Sequence, residues 1–184
     1  MTEYSKERTV ARFWEAGLTA ESRRLAGYWL SLWDADELPL RRRYDPAQVR
    51  DLLPGIAIME INAAERVHIR LAGSALNADF GFDLSGWDLA TITREENRPV
   101  RLARNSQIAL GTAAWALRRG RTADSRDWES EEVHLPFRGD VLPDGARLAL
   151  FHSTWRPDAT GKPIIDAQYG LDLVETWQTV HLRP

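Results

Sequence analysis

The chain contains no cysteine. That single absence removes disulfides, thiolate-held zinc, iron–sulfur clusters and any cysteine nucleophile. Histidine is scarce at 4 residues and methionine scarcer at 2. No stretch approaches the roughly 18 apolar residues of a membrane span, and the opening MTEYSKERTV carries no apolar run of the signal-peptide kind. An excess of one charge is also missing. Lys and Arg number 24 against 27 Asp and Glu, a net of -3, which leaves no electrostatic footprint for nucleic acid. What the chain does have is tryptophan, 8 residues of it, within a composition 43% hydrophobic and 28% charged. That is the make-up of one globular domain with a buried core. The expectation is a cytoplasmic protein with neither nucleic-acid nor membrane partners.

Val10, Phe13, Trp14, Gly17 and Leu18 follow helical spacing. After Thr19, an N-cap candidate, so do Leu25, Tyr28, Trp29, Leu32 and Trp33. A stripe with two Trp must be covered, either by this chain's own sheet or by a second subunit. Pro39 ends that segment, and Arg41, Arg42 and Arg43 read as a solvated charge run. Asp45-Pro46-Ala47-Gln48 then combines a cap, a first-turn proline and a capping-box glutamine, and Leu53-Pro54-Gly55 stops the short helix it starts. From Ile56 to Ile61 a nearly continuous apolar run predicts a strand covered on both faces. Val67, Ile69 and Leu71 alternate with His68 and Arg70, which makes the pair a hairpin.

Glycines punctuate residues 73–86, with a short helical piece at Leu76 and Phe80 that Ser74 caps and Gly81 closes. A longer helix, capped by Thr93 or Asn97, runs to Leu110 and ends at Gly111. Strand-like runs follow at Thr112 to Arg118, Glu131 to Phe137 and Arg147 to Trp155. The segment from Asp166 to Leu182 reads as a strand or a helix that packs back on the domain. The order implies an α+β fold, one antiparallel sheet with helices gathered on a face.

Several local motifs sharpen that reading. Tyr28 to Trp33, Leu38-Pro39, Tyr44-Asp45-Pro46 and Leu52-Leu53-Pro54 stand in sequence ahead of Arg70-Leu71-Ala72-Gly73-Ser74. Phe80-Gly81-Phe82-Asp83-Leu84-Ser85-Gly86 and Glu132-Val133-His134-Leu135-Pro136-Phe137 follow. Together, over residues 25 to 155, they resemble a proteobacterial family of small PAS-domain proteins. The resemblance implies a PAS-like five-stranded antiparallel sheet with flanking helices and an N-terminal helical extension. It places the extension at residues 1–24, the PAS-like domain at 25–158 and a C-terminal extension packing on it at 159–184. The hydrophilic stretch from Arg118 to Glu131 departs from the family pattern and is expected to lengthen a hairpin. The implied role is a sensory or regulatory module that is not itself an enzyme.

Haem-binding members of the wider family take an axial His from the long helix, and residues 97–111 hold none. His68, His134 and His152 fall on strands and His181 near the C-terminus. His134 and His152 become neighbours if their strands pair, but a metal needs a third convergent ligand that the spacing does not supply. Flavin and cinnamoyl photochemistry in related sensors use a Cys, so neither photocycle is open here, while non-covalent flavin binding is not excluded by the missing Cys. No cofactor and no metal are expected. Asp79, Asp83 and Asp88 sit among glycines as turn formers rather than as a catalytic pair.

The expected ligand site is a cavity between the sheet and its helices, lined by Arg70, Phe80, Asn105, Gln107, Trp115 and Trp155. The expected partners are an unknown small molecule, a signalling protein, or both, together with a second copy of the chain. The dimer contact is assigned to Leu25, Trp29, Leu32 and Trp33. Two rival readings are a small α+β enzyme with a His/Asp site in the cavity and an interaction scaffold whose cavity is filled by its own side chains.

Overall fold

The computed structural model describes residues 11, 15, 17–34, 37–64, 66–93, 95–121, 127–138, 146–155 and 174–180. For 96, 118–121, 127, 128, 155 and 174–180 it describes the backbone alone. Helix α1 covers Ala20–Ser31, followed by short 3-10 turns at Arg41–Arg43, Pro46–Val49 and Leu53–Gly55. The hairpin of β1 (Ile56–Ile61) and β2 (Val67–Ala72) comes next, then α2 (Ser74–Phe80), two further 3-10 turns and α3 (Arg98–Ala109). Strands β3 (Ala113–Arg121), β4 (Asp127–Pro136), β5 (Arg147–Trp155) and β6 (Val174–Val180) complete the order. One sheet joins them all in the order β2-β1-β5-β4-β3-β6, with every neighbouring pair antiparallel.

The five strands expected are therefore present, and the C-terminal segment adds a sixth against the β3 edge. That resolves the strand-or-helix alternative, with Ala113 opposite Val180 and Arg118 opposite Val174. The hydrophilic stretch after Arg118 does lengthen the β3–β4 hairpin, which stays paired out to Arg121 and Asp127.

Local chemistry explains the turns. Thr19 caps α1 by accepting the Ser22 N–H at 3.4 Å. Asp45 accepts the Ala47 N–H at 3.0 Å and the Gln48 side-chain amide at 3.2 Å, a capping box on a 3-10 turn rather than an α-helix. Gly81 ends α2 with φ 76°, in the left-handed region. At the other end the cap is Gly73, not Ser74, which is already helical. A Cβ on Gly73 would lie 2.1 Å from the Leu53 carbonyl oxygen, so the backbones approach too closely for a side chain.

Strand alternation splits the core into two layers. On one face, Leu25, Ala26, Trp29, Leu30 and Trp33 from the N-terminal segment pack on Ile56, Trp115, Val133, Leu135 and Leu150. On the other, Leu76, Leu84, Leu89, Ile92 and Ile108 pack on Ala57, Met59, Ile61, Ile69 and Ala149. Trp29 is fully buried, its indole N–H donating to the Pro136 carbonyl at 3.0 Å. Its ring meets Trp33 edge to face at 5.2 Å between centroids. Burying one such side chain contributes on the order of 3 kcal/mol.

This packing corrects the dimer assignment. Leu25, Trp29 and Trp33 are buried against the chain's own sheet, and Leu32 packs partly buried beside them. The helix fits that face because the face itself is apolar on β3, β4 and β5 (Trp115, Val133, Leu135, Leu150). The earlier stripe at Val10, Phe13 and Trp14 lies outside the described residues. Helix α1 runs unbroken through residue 24, where the sequence reading set the edge of the domain.

Candidate functional site

The strands that offer apolar side chains to α1 turn a different set to the other face. From β4 these are Ser130, Glu132 and His134, and from β5 Phe151 and Ser153. They form the floor of a cavity. Met59, Ile69, Leu76, Phe80, Leu89 and Ile92 form its apolar wall and roof. Asp79 of α2 and Arg101 of α3 also line it. The cavity measures about 40 Å³, against roughly 300–1,000 Å³ for pockets that enclose drug-sized ligands. As it stands it has room for a few waters or one small group.

Glu132 and His134 are separated by one residue on β4, so both side chains point the same way. His134 Nε2 lies 3.6 Å from Glu132 Oε2, and the two side chains are only 9% and 8% exposed. The imidazole also packs edge-on to Phe151, 5.1 Å between centroids. A carboxylate and an imidazole set into an apolar cavity cost desolvation that aliphatic residues would avoid. The arrangement offers a hydrogen-bond acceptor, a donor-or-acceptor ring and two hydroxyls, Ser130 and Ser153, to whatever enters.

His152 stands on the opposite face. The register sets it against Val133, with His134 against Phe151, so the two histidines are on adjacent strands yet on opposite sides of the sheet. Ser22 Oγ of α1 lies 3.4 Å from His152 Nδ1. Burial pushes the imidazole down to about 4, against the opposing pull of Glu131 and then Glu21. Glu131, itself fully buried, accepts the Thr19 N–H at 3.0 Å and the Thr19 hydroxyl at 2.8 Å. This cluster ties the start of α1 to the sheet.

The expected ligand residues divide accordingly. Phe80 lines the cavity. Asn105 lines a neighbouring groove beside α3. Arg70 is exposed on β2 and pairs with Glu60 at 3.0 Å on the sheet face away from the cavity. Gln107 stands half-buried in the last turn of α3, its carbonyl accepting the Thr112 N–H, and does not line the cavity. Trp115 packs beneath α1, on the wrong face for a cavity wall. The side chain of Trp155 lies outside the described residues. Asp83 and Asp88 serve as turn formers: Asp83 accepts the Ser85 N–H at 2.9 Å, and Asp88 the Ala90 N–H at 2.8 Å. No cluster of three or more metal-ligating side chains occurs among the described residues.

Sequence reasoning missed Ser130, Glu132, His134 and Ser153. The signal was present as polar residues at every second position from 130 to 134, opposite the apolar Val133 and Leu135. The apolar side of β4, Val133 and Leu135, belongs to the Trp-bearing helix, so the polar side meets the cavity.

The model of a PAS domain family matches residues 19–143 of the chain. The chain belongs to the PAS domain family. Among solved structures, this PAS chain is similar to the crystal structure of a Rhodobacter sphaeroides LOV protein. That match has 16% identity, a TM-score of 0.40, and coverage of 64% of this chain and 71% of that one. A second similar structure is the RsLOV d2 variant, with 15% identity, a TM-score of 0.39, and coverage of 61% and 66% respectively. No curated protein matches the chain.

Proposed function

We propose that this PAS chain is a sensory or regulatory module that binds a small organic molecule in the β4–β5 cavity. It passes the signal to a separate protein partner and has no catalytic output or resident cofactor of its own. One observation carries the reading: buried Glu132 and His134 converge with Ser130 and Ser153 in a cavity whose remaining lining, Asp79 and Arg101 apart, is apolar. Convergent polar groups in an apolar pocket are the usual signature of a small-ligand site. The small volume means that the occupant is small or widens the cavity by moving Phe80 and its neighbours.

That volume also favours the scaffold alternative, and the His134–Glu132 pair favours the enzyme alternative. A single set of titrations separates the three. Neutral phenols and azoles should shift the amide resonances of Glu132, His134 and Phe151 in the native protein and not in Ser153→Leu, which fills the floor. Silence at those amides for every compound would leave the scaffold. Consumption of a bound compound, abolished by His134→Gln, would establish the enzyme.

The module works as a homodimer in this proposal. The outer sheet face is covered by α1, and the helically spaced apolar sequence positions Val10, Phe13 and Trp14 are assigned to an isologous contact in this proposal.

A further inference from the structure

Beside the cavity runs a groove of about 270 Å³ between the 3-10 turn at Leu89–Ile92 and helix α3. Its lining includes Arg98, Arg101, Leu102 and Asn105, which stand at i, i+3, i+4 and i+7 on one face of α3. Arg66 and the buried Thr93 close the other side, and among the described residues no carboxylate lines the groove. Arg66 is paired with Asp88 just outside it. Arg98 is held by its Nε, which donates to the carbonyls of Ala90 at 3.1 Å and Thr93 at 3.2 Å. No acidic side chain among the described residues pairs with its two Nη groups. Arg101 lines both the groove and the cavity, so the two spaces share a wall.

The two spaces differ in charge. Glu132 and Asp79 line the cavity and not the groove, Arg66 and Arg98 line the groove and not the cavity, and Arg101 lines both. Arg66 is already paired to Asp88, and the Nη groups of Arg98 face the groove as its main donors. A guanidinium matches the planar or tetrahedral oxygens of carboxylate and phosphate with paired donors. We propose that the groove is an oxyanion site, taking the carboxylate or phosphate group of the molecule whose apolar part enters the cavity past Arg101. The link to an apolar part rests on the cavity reading above; the oxyanion site does not.

The test titrates the full chain with butyrate, butan-1-ol and inorganic phosphate at constant ionic strength, following backbone amide resonances. Butyrate should bind at least tenfold more tightly than butan-1-ol and shift both the Arg98–Asn105 and the Glu132–Ser153 amides. Arg98→Gln should erase that advantage while the amide spectrum stays folded. Phosphate shifting the groove amides at lower concentration than butyrate assigns a phosphate head, and the reverse order assigns a carboxylate. Equal binding of butyrate and butan-1-ol, or an advantage that survives in both Arg98→Gln and Arg101→Gln, overturns the oxyanion site and leaves the cavity reading standing. Groove amides that respond to both anions while the cavity amides stay silent keep the oxyanion site and sink the cavity reading.

Discussion

Acidification should weaken this protein through His152. The ring is buried between β5 and α1, and burial pushes it from 6.5 down to about 4. The folded state therefore binds a proton less readily than the unfolded chain. Above pH 6.5 both states are neutral and the full stability is present. As the pH falls from 6.5 through about 4, the unfolded state gains the proton first and stability is lost. At about 1.36 kcal/mol per pH unit, the whole gap is worth about 3 kcal/mol, most of which is lost by pH 4.5. Other carboxylates also titrate in that range, so the comparison is with His152→Gln, which keeps a polar group opposite Ser22 but cannot titrate. Urea unfolding followed by tryptophan fluorescence at pH 7.5 and 4.5 measures both proteins. The native chain should lose about 2 to 3 kcal/mol more than the variant over that interval. Equal losses, or an imidazole that titrates near 6.5 by NMR, would refute the argument that α1 keeps this ring dry.

Gly81→Val should lower stability by about 1 kcal/mol or more, because a β-branched residue is strained at φ 76°; thermal melts equal to the native chain would show that the helix end adjusts without strain. Glu131→Ala strands the half-buried Thr19 N–H and hydroxyl, and a loss of about 2 kcal/mol in chemical denaturation is expected. A loss under about 1 kcal/mol would mean that water replaces the carboxylate. The purified protein should be colourless, with a Soret or flavin band at near-stoichiometric occupancy as the contrary result. Light scattering should give a dimer for the full chain and a monomer after removal of residues 1–17; monomers in both cases would end the dimer proposal.

Most of the secondary structure was legible because it depends on near neighbours. The apolar run from Ile56 to Ile61, the alternation at Val67, Ile69 and Leu71, and the helix ends at Gly81 and Gly111 each follow from local sterics and period. The PAS signature was likewise readable in linear order, and so was Phe80 as a lining residue. At the start of α2 the difference came from the cap: Gly73 took the position assigned to Ser74 because two backbone carbonyls leave no room for a Cβ there.

Which face of the sheet each side chain meets was decided elsewhere. Alternation along a strand says that Trp115 and Ala116 point opposite ways, but not which of them meets the cavity. That depends on which helix covers which face, and both faces here are covered by apolar helical elements. Once α1 lies over Trp115, Val133 and Leu135, the polar set Ser130, Glu132 and His134 is turned inward to the cavity, and Arg70 is turned away from it. Shifting the parity by one residue exchanges an entire set of lining side chains, so the tertiary arrangement of one helix selects the chemistry of the site.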